Sequence, residues 1–465
     1  MSIIQWLGLF HLGSVATVLL TLVFASRILR SPRMPAITIG WLSVIVFLPV
    51  LGIPLYLTFG ERKLDIQLGR KEKLALHGKC AATHAVRHPI HSLLVSLGVP
   101  ASTSRNTCRF HDDGVMAWEA LQQLLENADV SIDIAIFILG NDAVGRRVIR
   151  LLEEKAAAGV RVRLLLDGVG SLPLSRKRLR ELGRAGGEIA WFIPVIHRPF
   201  RGRTNLRNHR KIVIVDRKMV WAGGRNISGE YLGPHCPAQC WIDLSYTQTG
   251  DVVATYLEIF EADWRFAKGG RVAAALPIVP MESEAPAACE LQVIPSGPDI
   301  DGDPIYSTIL TACYVASSRI YVATPYFIPD DNVQTALKLA ALRGVAVEMI
   351  LPERSNHRLA DIARNRFLRE LLEAGVTLRF LPEMIHAKAI VIDDSFAMCG
   401  SANLDIRSLF LNCELMSAFY GKAEVAWLAR WFDALRAGSI RHRPEKAGAV
   451  TELIEGIVML TAYQL

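Results

Sequence analysis

Charge is missing from two long stretches near the N-terminus, and that absence limits where the chain can work. Ile4 to Ser26 (IQWLGLFHLGSVATVLLTLVFAS) has no formal charge, and neither has Ala36 to Phe59. A helix over the first stretch would be roughly 34 Å long, enough to cross a bilayer core. A cleaved leader fits poorly: no basic residue precedes the apolar run, the run is too long, and a second follows after a short turn. The expectation is a transmembrane hairpin over residues 1–60, with Pro49 and Pro54 tolerated in its second arm. The turn carries Arg27, Arg30 and Arg33, and the segment beyond carries Arg62, Lys63, Arg70, Lys71 and Lys73. That balance slightly favours a cytoplasmic C-terminal region.

Paired cysteines are lacking too. The eight cysteines (80, 108, 236, 240, 289, 313, 399, 413) show none of the spacing of a small disulfide-stapled domain. The one compact cluster, His235-Cys236-x3-Cys240, has no evident fourth ligand, so it reads as a loop with incidental cysteines rather than a zinc site. Acidic residues fall short of basic ones, 45 against 52, for a net charge of +7. The excess favours an anionic partner, either nucleic acid or an acidic membrane surface, and the uncharged N-terminal stretches favour the membrane.

What the chain does have is a duplication. Val130–Phe137 alternates like a strand, Asp142–Ala158 has helical spacing, and Val160–Leu166 is a second strand. The same order returns as a strand at Arg319–Ala323, a helix at Asp331–Leu342 and a strand at Val345–Leu351. Leu179-Arg-Glu-Leu182 is expected to open a helix ending near Gly186, and Leu368-Arg-Glu-Leu371 one ending at Gly375. This offset is 189 residues, against 177 for the motif below, so the repeat is a duplicated domain with short insertions. The expected fold is α/β: two homologous halves, each a mixed sheet flanked by helices, packed around one site. The boundaries read as a hairpin (1–60), a basic connector (61–107), a first half (108–270), an Ala/Pro/Glu-rich linker (271–288), a second half (289–440) and a tail (441–465).

Each half carries His-x-Lys-x4-Asp: His209, Lys211 and Asp216, then His386, Lys388 and Asp393. The apolar, β-branched run after each lysine reads as a buried strand. Side chains alternate along a strand, so each His and Lys share one side, about 7 Å apart. Each Asp, an odd number of positions on, faces the other way and is expected to tie down the strand end. Asn226 and Asn403 each lie 17 residues beyond their histidine. Glu414 follows His386 by 28 residues; the matching place in the first half is Pro237, and the nearest acid is Asp243. One such motif is a loose pattern. Two, each on a predicted strand and each followed by Gly-x-x-Asn, point to a shared function.

These residues resemble the phospholipase D superfamily. Gly400-Ser-Ala-Asn403-Leu-Asp-Ile-Arg407-Ser408, Asn412-x-Glu414, Gln239-Cys-Trp-Ile-Asp243, Ser296-Gly-Pro298 and Thr324-Pro-Tyr-Phe327 narrow the likeness to the bacterial cardiolipin synthases, over nearly the whole chain to about residue 440. Gly223-Gly224-Arg225-Asn226 departs from the small-residue sequence expected there. The resemblance implies an inner-membrane phosphatidyltransferase that needs neither metal nor cofactor. It would join two phosphatidylglycerols into cardiolipin, with phospholipids and an anionic membrane as partners and no nucleic acid. A hydrolase or nuclease on the same scaffold, or phosphatidylethanolamine as co-substrate, are the alternatives. It also implies that His209 attacks phosphorus, His386 serves as acid and base, and Lys211, Lys388, Asn226 and Asn403 hold phosphate oxygens. Asp243 would orient His209 and Glu414 would orient His386. Arg198, Arg201, Arg203, Arg207, Arg210 and Lys211 fall within fourteen residues and read either as a solvated loop or as a surface for anionic headgroups. Trp427, Leu428, Trp431 and Leu435 have core spacing. Leu453–Leu460 reads as a short membrane-touching helix.

Overall fold

The structure, a computed structural model, describes residues 15, 17–26, 28–29, 35–59, 74, 76, 88–174, 176–193, 206–235, 240–269, 289–442 and 447–459. The linker at 271–288, Cys236, Gln239, Arg198, Arg201, Arg203 and part of the first apolar run lie outside these. The chain divides into two compact units, Met1–Gln67 with Arg198–Asn205, and Leu68–His197 with Leu206–Leu465.

In the first unit, residues 17–26 are helical, followed by α1 (Pro35–Phe47) and α2 (Pro49–Phe59). The second uncharged stretch is therefore two helices where one was expected. Pro49 has no N–H to continue the ladder, and its ring crowds the carbonyl four residues back. Among the described residues no helix is long and apolar enough to cross a membrane. Tyr56 is fully buried, edge-on to Phe24 and Trp41, with Ile28 and Ile45 beside it. Outside this small core the unit turns large apolar side chains outward, among them Val23, Leu29, Ile39, Phe47 and Val50.

The second unit opens with α3 (Pro89–Ser96) and holds the duplication. Its first half runs β1 (Asn106–His111), α4 (Gly114–Glu126), β2 (Ser131–Ile136), α5 (Ala143–Ala157), β3 (Arg161–Leu166), α6 (Arg176–Arg184), β4 (Glu188–Trp191), β5 (Ile212–Val215), β6 (Met219–Gly223), β7 (Ser245–Gly250) and α7 (Val253–Ala267). The second half runs β8 (Leu291–Ser296), α8 (Pro304–Val315), β9 (Arg319–Ala323), β10 (Phe327–Ile328), α9 (Asp331–Leu342), β11 (Ala346–Pro352), α10 (Arg358–Glu373), β12 (Thr377–Leu381), β13 (Ala389–Ile392), β14 (Phe396–Gly400), β15 (Leu404–Asp405), α11 (Ile406–Phe410), β16 (Glu414–Phe419), α12 (Lys422–Gly438) and β17 (Ile440–Arg441). A last helix, α13 (Ala449–Met459), closes the described chain.

The first sheet has the order β1-β7-β6-β5-β2-β3-β4, and the second β17-β12-β11-β9-β13-β14-β16-β8. Read in reverse, the second repeats the first and adds β17 at its edge. In both, three strands are parallel and the motif strand joins them antiparallel, β5 beside β2 and β13 beside β9. These are the mixed sheets the repeat predicts.

Strand alternation sorts the side chains into layers. Val213 and Val215 pack outward with Ile132, Ile134 and α4–α6, whereas Ile212 and Ile214 face inward. The inner layer takes Ala389, Val391 and Ala397 from the second sheet, and Phe260, Trp264, Leu428 and Phe432 from α7 and α12. The two sheets therefore share one apolar core. Leu428 and Trp431 lie in it as their spacing predicts, with Trp427 packed alongside.

The Leu-Arg-Glu-Leu segments do not open helices. They lie in the later turns of α6 and α10, which stop just before Gly186 and Gly375. Both glycines have left-handed φ, 102° and 96°, which ends a helix at no steric cost.

Candidate active site

The segments carrying the histidines precede β5 and β13, and each is clamped by the opposite half. Asn208 bridges Cys413, and Ile385 bridges Ile242, both as parallel pairs. The His209 N–H donates to the Cys413 carbonyl at 2.9 Å, and the His386 N–H to the Ile242 carbonyl at 2.7 Å. The next residues on the clamping segments are Glu414 and Asp243. Each carboxylate therefore lands on the other half's histidine: His209 Nδ1 lies 2.9 Å from Glu414 Oε1, and His386 Nδ1 lies 2.6 Å from Asp243 Oδ2.

This reverses the expected pairing of Asp243 with His209 and Glu414 with His386. The reason is sheet order. Within one half, β6 separates the motif strand from the strand that the acid leads into, and β14 does the same in the other. Two strand spacings are about 10 Å, beyond hydrogen-bond reach.

The carboxylates are held differently. Glu414 accepts from the Ser401 hydroxyl at 2.5 Å and the Asn412 amide at 3.3 Å. Asp243 accepts from the Leu244 N–H at 2.7 Å. Gly224 stands where Ser401 stands in the other half. A Cβ on Gly224 would come within 2.1 Å of Asp243 Oδ1, so the departure at Gly223–Asn226 makes room for a carboxylate. Arg225 is buried and donates to the carbonyls of His111, Asp112 and Tyr231, a structural tie.

The other motif residues divide as strand parity predicts. Lys211 Nζ reaches back to the His209 carbonyl at 2.7 Å, and Lys388 Nζ lies against the His386 ring, 2.7 Å from Nδ1 and 3.1 Å from Nε2. Asp216 and Asp393 are not in the site. Asp216 accepts the N–H groups of Asp129, Val130 and Ser131, and Asp393 those of Ser317, Ser318 and Arg319 with both serine hydroxyls. Each caps the loop that enters the neighbouring parallel strand. Asn226 accepts the Ile138 N–H at 3.1 Å and hydrogen-bonds Tyr231 through its side chain. Asn403 is buried and hydrogen-bonds Asp405, with its Oδ1 unpartnered among the described groups.

Of the basic run before the first motif, the described members are buried. Arg210 donates to Asp263 and to the Glu414 carbonyl, and Arg207 lies 3.7 Å from Asp167. These side chains are internal ties rather than a headgroup surface. The aromatic walls had no sequence signal: Phe137 lies edge-on to His209 at 4.9 Å, and Tyr231 and Trp241 pack on His386 at 4.9 and 5.6 Å. Ser401 and Asn412 were also missed as partners of Glu414, although the motif contains both. Cys240 is disulfide-bonded, which the reading of incidental loop cysteines did not anticipate.

The family described as "Cardiolipin synthase, PLD-like domain" matches residues 121–264 and 309–436, which include both histidines, both lysines and both orienting acids. The chain belongs to that family. A second match, "Phospholipase_D-nuclease N-terminal", covers residues 18–61. Among curated relatives, a cardiolipin synthase of Geobacillus kaustophilus is 33% identical over 448 residues, spanning 92% of this chain and 87% of its own. Cardiolipin synthase A of Pseudomonas aeruginosa is 31% identical over 469 residues, spanning 97% and 94%. Of solved structures, the phosphatidylserine synthase of Haemophilus influenzae shares the fold, with a TM-score of 0.60 at 14% identity over 77% of this chain and 95% of that one.

Electrostatics in this cardiolipin synthase-family site follow from burial. Removal from water lowers His209 to about 4, with Glu414 opposing and Lys211 adding to the shift. Burial, then Lys388, lowers His386 to about 3. Burial also lowers Lys211 to about 7 and Lys388 to about 8. For Asp243 burial acts upward, but Lys388 and His386 outweigh it and hold the carboxyl at about 2. Glu414 is likewise lowered, burial being outweighed by His209 and its hydrogen bond. At neutral pH, then, two ionised carboxylates face two neutral imidazoles. Each carboxylate accepts from Nδ1–H, which leaves the lone pair on Nε2.

Proposed function

We propose that this chain makes cardiolipin from two phosphatidylglycerols through a phosphatidyl-histidine. The observation that carries the reading is the pair of neutral, carboxylate-oriented histidines in one buried site, with two lysines beside them. His209 Nε2 attacks the phosphorus of the first phosphatidylglycerol, and the P–N bond forms as the bond to the departing glycerol oxygen breaks. That oxygen takes a proton from His386 Nε2, and glycerol leaves. The terminal hydroxyl of the second phosphatidylglycerol then gives its proton to His386 as its oxygen attacks phosphorus. The P–N bond breaks, and cardiolipin leaves with His386 ready for the next turn.

The empty site keeps His386 neutral, so it takes up its working proton from solvent as substrate binds: an anionic phosphodiester beside it favours the imidazolium. Lys211 and Lys388 gain charge for the same reason and meet the non-bridging oxygens, where negative charge builds in the transition state. Asn226 and Asn403 supply amide groups beside them. Glu414 stabilises the orientation of His209, and Asp243 that of His386, as the aspartate does in a serine-protease triad.

The N-terminal unit embeds in the bilayer and keeps the enzyme beside its lipids. Its uncharged stretches and outward-facing Val23, Phe47 and Val50 support that reading. The test is expression in a bacterium lacking cardiolipin, followed by lipid extraction. Cardiolipin with an equal amount of released glycerol is expected, and none from the His209→Ala variant. Phosphatidic acid without cardiolipin would make the enzyme a hydrolase and sink the proposal.

A further inference from the structure

Helix α13 carries an apolar stripe that the catalytic fold leaves uncovered. Val450, Leu453, Ile454 and Ile457 recur at i, i+3, i+4 and i+7, so they line one face, and they are 72, 64, 48 and 57% exposed. The opposite face is fixed to the protein. Glu455, 1% exposed, receives Arg369 of α10 at 2.9 Å, and Val458 and Met459 pack on the outer core of the second half. The helix is therefore held so that its apolar face points outward.

Single exposed apolar residues are ordinary, but a contiguous stripe on a docked helix is not. The approach to it is basic: residues 440–446 contain Arg441, Arg443 and Lys446 against Glu445 alone, Arg436 before them being engaged by Glu348 and Asp433. A basic flank followed by a one-sided apolar helix suits the headgroup boundary of an anionic bilayer. A second copy of the chain is a weaker fit. The helix is about 16 Å long, and four side chains fall well short of the roughly 800 Å² per partner that a stable dimer buries.

We propose that α13 is an interfacial membrane contact of the catalytic unit, its Val450–Ile457 stripe lying in the surface of an anionic bilayer. The inference rests on bilayer lipids being the substrates, but its test does not read activity alone. A photoreactive residue is placed at Leu453, at Ile457, or at the exposed polar control Glu373, in the full chain in phosphatidylglycerol vesicles. Phospholipid adducts are expected at the first two positions, at least fivefold above the control. Adducts to a second copy or within the chain, or equal lipid labelling at all three, overturn the proposal. The L453E/I457E double variant adds a second readout. Its activity is expected to fall about tenfold on vesicles, through lost apolar burial, and less than twofold in detergent mixed micelles. Equal loss in both overturns it by assigning the stripe to folding. Lipid adducts in a protein that makes no cardiolipin would instead leave this contact standing and remove the proposed reaction.

Discussion

The exchange of orienting acids between halves predicts that the two carboxylates act on different chemical steps. Asp243→Asn removes the acceptor 2.6 Å from His386 Nδ1 while nearly preserving shape. The amide can offer N–H to Nδ1 and favour the wrong tautomer, which puts the ring's proton on Nε2 and leaves no lone pair there to act as base, while the imidazolium loses its carboxylate. The comparable change in a serine-protease triad lowers turnover by about 10⁴, and at 1.36 kcal/mol per tenfold that is about 5.4 kcal/mol of barrier. Glu414→Gln should cost a similar amount through His209, less whatever orientation Ser401 and Asn412 preserve. The two variants separate on a donor lipid whose leaving group is a nitrophenol, which departs without a proton. Asp243→Asn should then recover its first step and accumulate phosphatidyl-His209, because the second step still needs His386 as base. Glu414→Gln should show no recovery, since the attacking ring itself is misaligned. Rapid quench with mass spectrometry of the His209 peptide reads the adduct. Adduct accumulating in Glu414→Gln but not in Asp243→Asn would refute the assignment of roles.

Gly224→Ala should abolish most turnover while the protein folds, because the new Cβ would stand 2.1 Å from Asp243 Oδ1; kcat and circular dichroism check both halves of that statement. Asp216→Ala should destabilise by about 1.5–3 kcal/mol through lost charged hydrogen bonds, seen in denaturant melts, with kcat changed far less than by His209→Ala. The substrate-free protein should lose stability as pH falls from about 6.5 towards 4. The unfolded chain takes up protons on His209 and His386 in that window while the folded one resists them. Thermal midpoints should flatten there in the His209→Gln, His386→Gln double variant. Asp243 acts in a lower window, its contribution being lost only as pH falls from about 4 through about 2. Lys211 and Lys388 act with the opposite reach: their term makes stability rise from about pH 7 towards 10, and Lys211→Met should reduce that slope.

Features set by neighbouring residues could be read from the chain alone. Alternation at Val130–Phe137 marks β2, and the Asp142 side chain caps α5 by accepting the Gly145 N–H. Strand parity was enough to separate Asp216 and Asp393 from the phosphate side, because it depends only on counting along one strand. The boundary drawn at 107 cut into β1, which begins at Asn106 and whose partner β7 lies far away in sequence. The pairing of acids was illegible for a related reason. Counting residues from each histidine suggests a partner in the same half, but reach is decided by β6 and β14, which stand between. Nor did the basic run before Lys211 reveal that Arg207 and Arg210 are internal, since their partners Asp167 and Asp263 lie 40 and 53 residues away.

The exchange also explains why two copies make one site rather than two. A half on its own would place its histidine segment at the sheet surface with no acid in reach, and its acid with no histidine. Packing face to face supplies both at once, through the same two bridges, Asn208 with Cys413 and Ile242 with Ile385. Duplication alone would yield equivalent histidines, so any difference must come from what surrounds the acids. Glu414 shares its charge with the Ser401 hydroxyl and the Asn412 amide, whereas Asp243 keeps Gly224 beside it and holds His386 at 2.6 Å, with Lys388 close by. A carboxylate engaged by fewer side-chain donors stabilises an adjacent imidazolium better. Lys388 opposes that at His386, which burial and this lysine hold at about 3 against about 4 for His209, so in the empty site neither ring is favoured as the proton carrier. What differs between the halves is one position in the repeat, glycine at 224 and serine at 401, and it sets how each carboxylate is held.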